Sequence, residues 1–259
     1  MHRKTEEILN RTKIYFVSDA HFGVDSQFTT KQREKFFVEW LDAIKVNASE
    51  LYLLGDIFDF WFEYSYVVPR GFVIVLAKLR ELSDAGVKIK YFTGNHDMWV
   101  FDYLPKVIGA ELHTVPELRE INEKKFYIAH GDGLGKYDRK YNLMKGMFHN
   151  RFFQFMFKWI HPDWGCRFAL WCSHRSRLKH DLPETPDYEK EYLVMYSREV
   201  LKKEHFDYFV FGHRHIPYQY ALDDSSLFTN IGDWLFNFSY AVYDGENISL
   251  QKHQVRNEE

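Results

Sequence analysis

The sequence has few cysteines and no long apolar run. Its two cysteines, Cys166 and Cys172, have no matching pair elsewhere in the chain. This excludes a disulfide framework and a cysteine zinc site, because both need more cysteines at tighter spacing. The longest aromatic run, 152–157, contains Gln154 and is followed by Lys158. It is therefore shorter than the ~18 apolar residues that a membrane-spanning helix needs.

An excess of basic charge is also missing. The formal net charge is −3, whereas proteins that bind nucleic acid generally carry a basic surface. The charged start of the chain contains no apolar segment of the kind found in secretory signals. These features predict a protein that does not bind nucleic acid and that is cytoplasmic or peripheral to a membrane.

Apolar segments of strand length alternate along the chain with segments of helical periodicity. We predict five strands, at 13–17, 51–54, 87–92, 125–129 and 207–211. We predict helices at 29–44, at 72–85 and from about 188 to 204. Four further strands follow, at 218–222, 227–230, 239–243 and 248–252, and these should extend a second sheet. The alternation predicts an α/β fold, with all 259 residues in a single domain.

Each of the first five strands ends in a cluster of polar residues. Asp, Asn and Gly are common in turns, so any one of these clusters could be a simple loop. Ligand-binding groups in α/β proteins gather beyond the carboxyl ends of strands. We therefore expect the five clusters to meet at the same edge of one sheet. The candidate ligands are Asp19, His21, Asp56, Asn95, His130, His213 and His215.

These residue types point to a pair of divalent metal ions. Imidazole mixed with carboxylate oxygen favours Mn²⁺, Fe or Zn²⁺ over Ca²⁺ or Mg²⁺. In Asp19-x-His21 and His213-x-His215 the paired residues are two apart, so in extended chain both members point the same way. A shared carboxylate offsets repulsion between two cations roughly 3.5–4 Å apart, and Asp56 is the natural candidate. The one asparagine among the candidates adds a neutral oxygen.

Five motifs occur in a fixed order along the chain. They are Asp19-x-His21, Gly55-Asp56-x-x-Asp59, Gly94-Asn95-His96-Asp97, His130-Gly131-Asp132 and Gly212-His213-x-His215. Over about residues 13–233, this pattern resembles that of the calcineurin-like metallophosphoesterases. The resemblance implies an αββα four-layer sandwich. It also implies one metal held by Asp19, His21, Asp56 and His215, and a second held by Asp56, Asn95, His130 and His213.

The resemblance also implies roles for the residues beside the ligands. A water activated by both cations should attack phosphorus in line. His96 should act on the leaving-group side, as an acid or a charge stabiliser, with Asp97 orienting its ring. Asp59 and Asp132 should orient ligand histidines.

A segment at about 136–185 is longer than a strand and one helix require. Residues 136–180 contain ten Lys and Arg against two acids, together with eleven aromatic residues and three methionines. We predict a helical hairpin that forms a lid, apolar on one face and basic on the other. Its aromatics could pack onto the sandwich, contact an anionic lipid surface, or stack on nucleic-acid bases.

Within the superfamily, three segments are similar to the UDP-2,3-diacylglucosamine diphosphatases of lipid A synthesis: 55–61, 130–134 and Asp138-x-x-Tyr141. The resemblance implies a peripheral enzyme on the cytoplasmic face of the inner membrane that uses Mn²⁺. Its products would be UMP and 2,3-diacylglucosamine 1-phosphate. Substrate contacts would come from Asn95, His96, Asp138, Tyr141, Ser176 and Lys179.

A second function stays open at this point. His96 stands where the best-known branch of that family has arginine, and it favours a soluble phosphodiesterase or phosphatase acting on nucleotides or phosphoproteins. The basic, aromatic lid argues against this alternative. A non-catalytic scaffold on the same fold should have lost ligands, whereas all seven candidates are present.

Overall fold

The computed structural model describes residues 11–135, 139–177 and 187–255, and at 139–141 and 174–177 it describes the backbone alone. Within these ranges the chain forms two sheets with helices on their outer faces. The strands are β1 (Lys13–Val17), β2 (Ala48–Leu54), β3 (Lys88–Phe92), β4 (Ala110–His113), β5 (Glu117–Ile121), β6 (Lys124–Ala129), β7 (Tyr208–Phe211), β8 (Pro217–Ala221), β9 (Leu227–Ile231), β10 (Ser239–Tyr243) and β11 (Ile248–Lys252). The helices are α1 (Thr30–Ile44), α2 (Val73–Asp84), α3 (Tyr103–Ile108), α4 (Arg139–His149), α5 (Arg151–Lys158), α6 (Pro162–Arg177), a 3-10 helix (Tyr188–Lys190) and α7 (Tyr192–Leu201).

The strands are divided between a six-stranded and a five-stranded sheet. The first has the order β11-β10-β1-β2-β3-β4, and the second has the order β5-β6-β7-β9-β8. Strands β1 to β4 are parallel to one another, as are β6, β7 and β9. The carboxyl ends of these parallel strands therefore lie on one side of each sheet.

The carboxyl-terminal halves of the central strands are apolar, as expected where both faces of a strand are buried. Successive side chains of a strand point to opposite faces. Phe16 of β1 lies in the core between the two sheets, while Val17 packs against the helices outside. In the second sheet, Ile128 of β6 enters the same inter-sheet core and Tyr127 faces outward.

Helices cover the outer face of each sheet. The apolar side of α1, including Phe37 and Trp40, packs with α2 and α3 on the six-stranded sheet. Leu193 and Val194 of α7 pack on the five-stranded sheet. The layers thus run helix, sheet, sheet, helix, and the predicted αββα sandwich is confirmed.

The expectation that all five polar clusters share the edge of one sheet is wrong. Strands β1, β2 and β3 belong to the first sheet, whereas β6 and β7 belong to the second. The clusters still meet, because the two sheets pack face to face with their carboxyl ends on the same side. Backbone hydrogen bonds join neighbouring loops there, from Asp19 N to Gly55 O at 3.0 Å and from Gly212 N to His130 O at 2.9 Å.

The sequence predicted that all four tail strands extend the second sheet. This is wrong for two of them. Strands β8 and β9 do so, but β10 pairs antiparallel with β1, Ile14 lying opposite Tyr243, and β11 follows it. The polar strand β5 was missed by sequence periodicity. Its Arg119 turns inward to an ion pair with Glu50 of β2, which is an interaction between sheets rather than a local pattern.

The predicted insertion contains three helices, α4, α5 and α6, which we call the lid helices. The predicted hairpin is interrupted at Asn150, whose side-chain oxygen accepts a hydrogen bond from Phe152 N at 2.8 Å and caps α5. Phe148 and Phe157 pack with Phe62 and Trp99 of the sandwich. No helix among the described residues is long and apolar enough to cross a membrane.

Candidate metal centre

The loops that carry the seven candidate ligands have a strained backbone. Asp19, His21, Asp56, His213 and His215 all have φ between 43° and 66°. This left-handed region is uncommon for residues other than glycine and costs roughly 1–3 kcal/mol at each position. Such strain persists only where the surrounding structure imposes it, and five cases in one cluster indicate a functional site.

Two glycines let the loops that carry candidate ligands approach closely. A Cβ at Gly94 would lie 2.2 Å from Asp56 Oδ1, and one at Gly212 would lie 2.6 Å from Asp19 Oδ2. Both distances are far shorter than real carbon contacts. The loops can therefore pack around the two carboxylates only if these positions lack a side chain.

Each of the two aspartates uses one oxygen for the scaffold and presents the other to the centre. Asp19 Oδ2 accepts a hydrogen bond from His213 N at 2.8 Å, and Asp56 Oδ1 accepts one from His96 N at 2.8 Å. Asp19 Oδ1 then lies 3.4 Å from His215 Nε2 and 3.7 Å from His21 Nε2. The carboxylates are thus oriented before any ligand binds.

Asp56 stands between two groups of donors. Its Oδ2 lies 3.8 Å from His21 Nε2 and 3.4 Å from His130 Nε2. Asn95 Oδ1 lies 3.3 Å from the same nitrogen of His130. The donor atoms lie within 4.8 Å of one another in each of two clusters, one of Asp19, His21 and His215 and the other of Asp56, His130 and His213. The structure therefore brings all seven predicted ligands together, with Asp56 between the two clusters.

Unsatisfied polar atoms test whether cations fit this centre. Asp19 Oδ1 and His21 Nε2 are fully buried and have no hydrogen-bond partner. Leaving such groups unpaired costs roughly 1–3 kcal/mol each, and more when they are charged. A divalent cation between them would satisfy both atoms, and the mixed imidazole and carboxylate donors suit Mn²⁺, Fe or Zn²⁺. The residues present fit the metals that the motifs imply.

The electrostatics of the centre also favour bound cations. Burial opposes charge on His21 and His130, yet the nearby carboxylates of Asp19 and Asp59 raise the pKa of His21 to about 10. The carboxylate of Asp56 likewise raises the pKa of His130 to about 10. Burial and the neighbouring His130 lower the pKa of His213 to about 4, which keeps its ring neutral. The carboxylates thus create a field that holds positive charge, as protons or as metal ions.

Three ligand histidines have their second ring nitrogen fixed by an acceptor. Nδ1 lies 3.1 Å from Asp59 Oδ1 in His21, 2.7 Å from Leu54 O in His130, and 3.2 Å from Asp233 Oδ2 in His215. Because these partners accept hydrogen bonds, Nδ1 carries a proton, and Nε2 is the nitrogen that faces the centre. The predicted orienting role of Asp59 thus has a matching contact.

Asp233 was not among the predicted site residues. Besides contacting His215, it accepts hydrogen bonds at Oδ1 from the backbone N–H groups of Leu235, Phe236 and Asn237. A signal for it existed, because Gly232-Asp233 follows a strand just as Gly55-Asp56 does.

The substitution Asp233→Asn should weaken one metal site without unfolding its loop. Asn keeps an oxygen for the three backbone donors, but its amide N–H₂ faces Nδ1–H of His215, where an acceptor is needed. We expect the affinity for one of two cations to fall by about 10–100-fold, measured by chelator competition. Asp223→Asn in an exposed turn serves as the control. Unchanged affinity in Asp233→Asn would show that this contact does not orient the ligand.

The sequence predicted that Asp97 orients the ring of His96. In the structure its hydrogen bonds go to other groups. Its carboxylate accepts hydrogen bonds from the backbone N–H groups of Gly94 at 2.8 Å and Ile57 at 2.9 Å, and from the hydroxyl of Tyr91. Burial, with the nearby charge of Asp56, raises the pKa of Asp97 to about 6. Backbone N–H groups from two of the loops that carry candidate ligands thus donate to one carboxylate. Asp97 therefore holds these two loops together.

His96 is positioned by Asp59 and by a lid helix. Its Nδ1 lies 3.1 Å from the backbone oxygen of Asp59 and 3.2 Å from Ser173 Oγ on α6. Its ring stands edge-on to that of His21, with centroids 4.7 Å apart. His96 therefore lies beside His21, one of the candidate ligands.

The lid helices also touch the other side of the centre. Lys145 of α4 forms an ion pair with Asp132 Oδ2 at 2.7 Å and donates to the backbone oxygen of the same residue at 3.1 Å. The four remaining candidates for substrate contact cannot be placed, because their side chains lie outside the described residues: Asp138, Tyr141, Ser176 and Lys179.

Comparison with known proteins agrees with this geometry. Residues 12–217 match the calcineurin-like phosphoesterase family. The UDP-2,3-diacylglucosamine hydrolase of Porphyromonas gingivalis is 38% identical over 255 residues, covering 93% of this chain and 97% of that protein. The hydrolase of the same name from Haemophilus influenzae is 26% identical, covering 87% and 92% of the two chains. With the family motifs, the sandwich and the paired donor clusters all present, this chain belongs to the calcineurin-like metallophosphoesterases.

Proposed function

We propose that this protein hydrolyses the diphosphate of UDP-2,3-diacylglucosamine to UMP and 2,3-diacylglucosamine 1-phosphate, in lipid A biosynthesis. The observation that carries the proposal is the 38% identity, over nearly the whole of both chains, to a protein of that name. The lid helices beside the metal centre support it, because a substrate with two acyl chains needs an apolar surface next to the phosphate site.

The chain's own residues have distinct tasks in this reaction. When bound, two divalent cations supply Lewis-acid activation of water and neutralise charge on the phosphoryl oxygens. Mn²⁺ is the proposed metal. Asp56 and the ligand histidines hold the cation sites, while Asp97 fixes the loops that carry them. His96 is held with Nδ1 against Asp59 O, which leaves Nε2 to contact the phosphate or the leaving group.

The lid helices carry the apolar surface that the proposal needs. Phe152, Phe155 and Trp159 recur at helical spacing along α5 and are 62%, 55% and 76% exposed. Trp164 and Phe168 of α6 are exposed as well. Monomeric soluble proteins rarely expose large apolar side chains in such a group, so this surface indicates a partner.

Basic residues surround this apolar surface. Arg151, Lys158 and Arg167 are exposed on α5 and α6. Aromatic side chains combined with lysine and arginine are typical of helices that lie in the interface of an anionic membrane. We propose that the lid helices rest on the cytoplasmic face of the inner membrane, where they contact the acyl chains of the substrate while its diphosphate reaches the metal centre.

Hydrolysis of UDP-2,3-diacylglucosamine by the purified protein with Mn²⁺ tests the proposal. We expect UMP to be released at about 1 s⁻¹ or faster, a rate typical of enzymes. A chelator should abolish the reaction, and returning Mn²⁺ should restore it. No UMP release from protein that cleaves a small aryl phosphodiester would reject the lipid substrate. It would favour the soluble phosphodiesterase that His96 suggests.

A further inference from the structure

One buried polar residue of the lid helices has no role in the function proposed so far. Ser173 on α6 is only 7% exposed, although Trp171 and Cys172 beside it are exposed. Its hydroxyl lies 3.0 Å from Asp59 Oδ1 and 3.2 Å from His96 Nδ1. Serine in a helix often bonds to a carbonyl of its own preceding turn. Ser173 contacts residues 114 and 77 positions away in the chain.

The positions of the protons in this cluster follow from its acceptors. The backbone oxygen of Asp59 can only accept, and it lies 3.1 Å from His96 Nδ1, so that nitrogen carries a proton. Ser173 has a single hydroxyl proton, which it donates to the carboxylate of Asp59. The oxygen lone pairs of Ser173 therefore face Nδ1–H of His96. The Ser173 hydroxyl thus links two groups: the Asp59 carboxylate, which contacts His21, and the imidazole ring of His96.

The position of Ser173 depends on how α6 is seated on the sandwich. Cys166, Ala169 and Leu170 of α6 pack against Phe60 and its aromatic neighbours. Phe60 directly follows Asp59 in the chain. The same packing that places the helix thus places the hydroxyl against the site.

We infer that Ser173 is a positioning residue that holds the His96 imidazole in its Nδ1–H form, with one fixed orientation, when the lid helices are seated. This inference rests on the proposed phosphoester hydrolysis for its kinetic test alone. It assigns to the lid a second task besides contact with lipid. The lid helices complete the arrangement of the residue that acts on the leaving-group side.

The variant Ser173→Ala tests this role, with Cys172→Ala as a control on the same helix. Alanine has a higher helix propensity than serine or cysteine, so neither change should weaken α6. We expect Ser173→Ala to lower kcat by about tenfold, a part of what a positioned acid–base group contributes, with KM within about twofold. In a His96→Ala background the same change should have no further effect, because the group that it positions is absent.

A spectroscopic measurement separates positioning from general damage to the protein. In the full-length protein loaded with Zn²⁺, the side-chain ¹⁵N signals of His96 should show a single Nδ1–H form, identified by their loss in His96→Ala. In Ser173→Ala the signals should shift or broaden as the ring becomes mobile, and in Cys172→Ala they should not change. Unchanged His96 signals in Ser173→Ala would overturn the inference, as would an equal kinetic loss with and without His96.

These measurements remain decisive if the proposed substrate is wrong. The kinetic cycle can be run with an aryl phosphodiester, and the nuclear magnetic resonance spectra need no substrate. Absence of UMP release combined with the expected cycle and spectra would reject the lipid substrate and retain the role of Ser173. Normal UMP release, combined with kinetic losses from Ser173→Ala and His96→Ala that simply add in the double variant, would retain the lipid substrate and reject the role of Ser173.

Discussion

We expect Asp56→Asn to lower phosphodiester turnover by at least about 1,000-fold, while the protein stays folded. One oxygen of Asp56 faces both donor clusters, at 3.8 Å from His21 Nε2 and 3.4 Å from His130 Nε2. Two cations roughly 3.5–4 Å apart repel strongly unless an anion lies between them. Removing that charge should therefore release one cation, and metal analysis should find about one ion per chain in place of two.

Asparagine is the informative replacement at this position. It keeps an oxygen to accept the hydrogen bond from His96 N, and it tolerates the φ of 53° that Asp56 adopts. Asp42→Asn, on the exposed surface of α1, supplies the matched control and should change neither turnover nor metal content. Turnover by Asp56→Asn within tenfold of the unsubstituted protein would contradict the two-metal assignment.

The second large effect is expected at the lid. Changing Phe152, Phe155 and Trp159 together to serine should lower binding to anionic vesicles by at least about 100-fold, because each fully buried aromatic side chain stabilises association by roughly 1.5–3 kcal/mol. Turnover of the lipid substrate should fall with vesicle binding. Turnover of a soluble aryl phosphodiester should not change, since these three side chains are exposed to solvent.

Exposed apolar residues elsewhere on the surface provide the comparison. Val46 and Leu118 are 70% and 57% exposed and lie outside the lid helices. Changing both to serine should leave vesicle flotation unaltered. Equal loss of lipid and aryl substrate turnover in the lid variant would show that α5 supports the catalytic site itself rather than selecting the substrate.

Local sequence patterns predicted the elements better than their assembly. The strands at 13–17, 239–243 and 248–252 have the bounds that periodicity gives. Yet β10 lies beside β1 and not in the second sheet, because strand pairing depends on how distant segments fit the core. The side chains of β10 alternate between the inter-sheet core, with Tyr243, and the outer core, with Val242. No local signal specifies that choice of neighbour.

The site was predictable where residue type and motif order carried the chemistry. The seven candidate ligands could be named from the sequence because imidazole and carboxylate groups, with one amide, recur at strand ends. Contacts made through the backbone or between loops could not be predicted, because they produce no pattern of residue types in the sequence. Asp97 binds amides of two loops and not His96, and Ser173 reaches the site only because α6 is folded over it. Residues that support other residues are set by the three-dimensional packing.

The division of the ligands between two sheets has a consequence for how the protein is made. Asp19, His21, Asp56 and Asn95 are synthesised early, but His213 and His215 follow the last helix. A growing chain therefore exposes half of a strongly anionic site long before its partners exist. Strands β1 to β4 can pair before these two histidines exist, and His213 and His215 join the other candidate ligands only after β7 has been made. The complete set of candidate ligands thus exists only once the segment that follows α7 has been made.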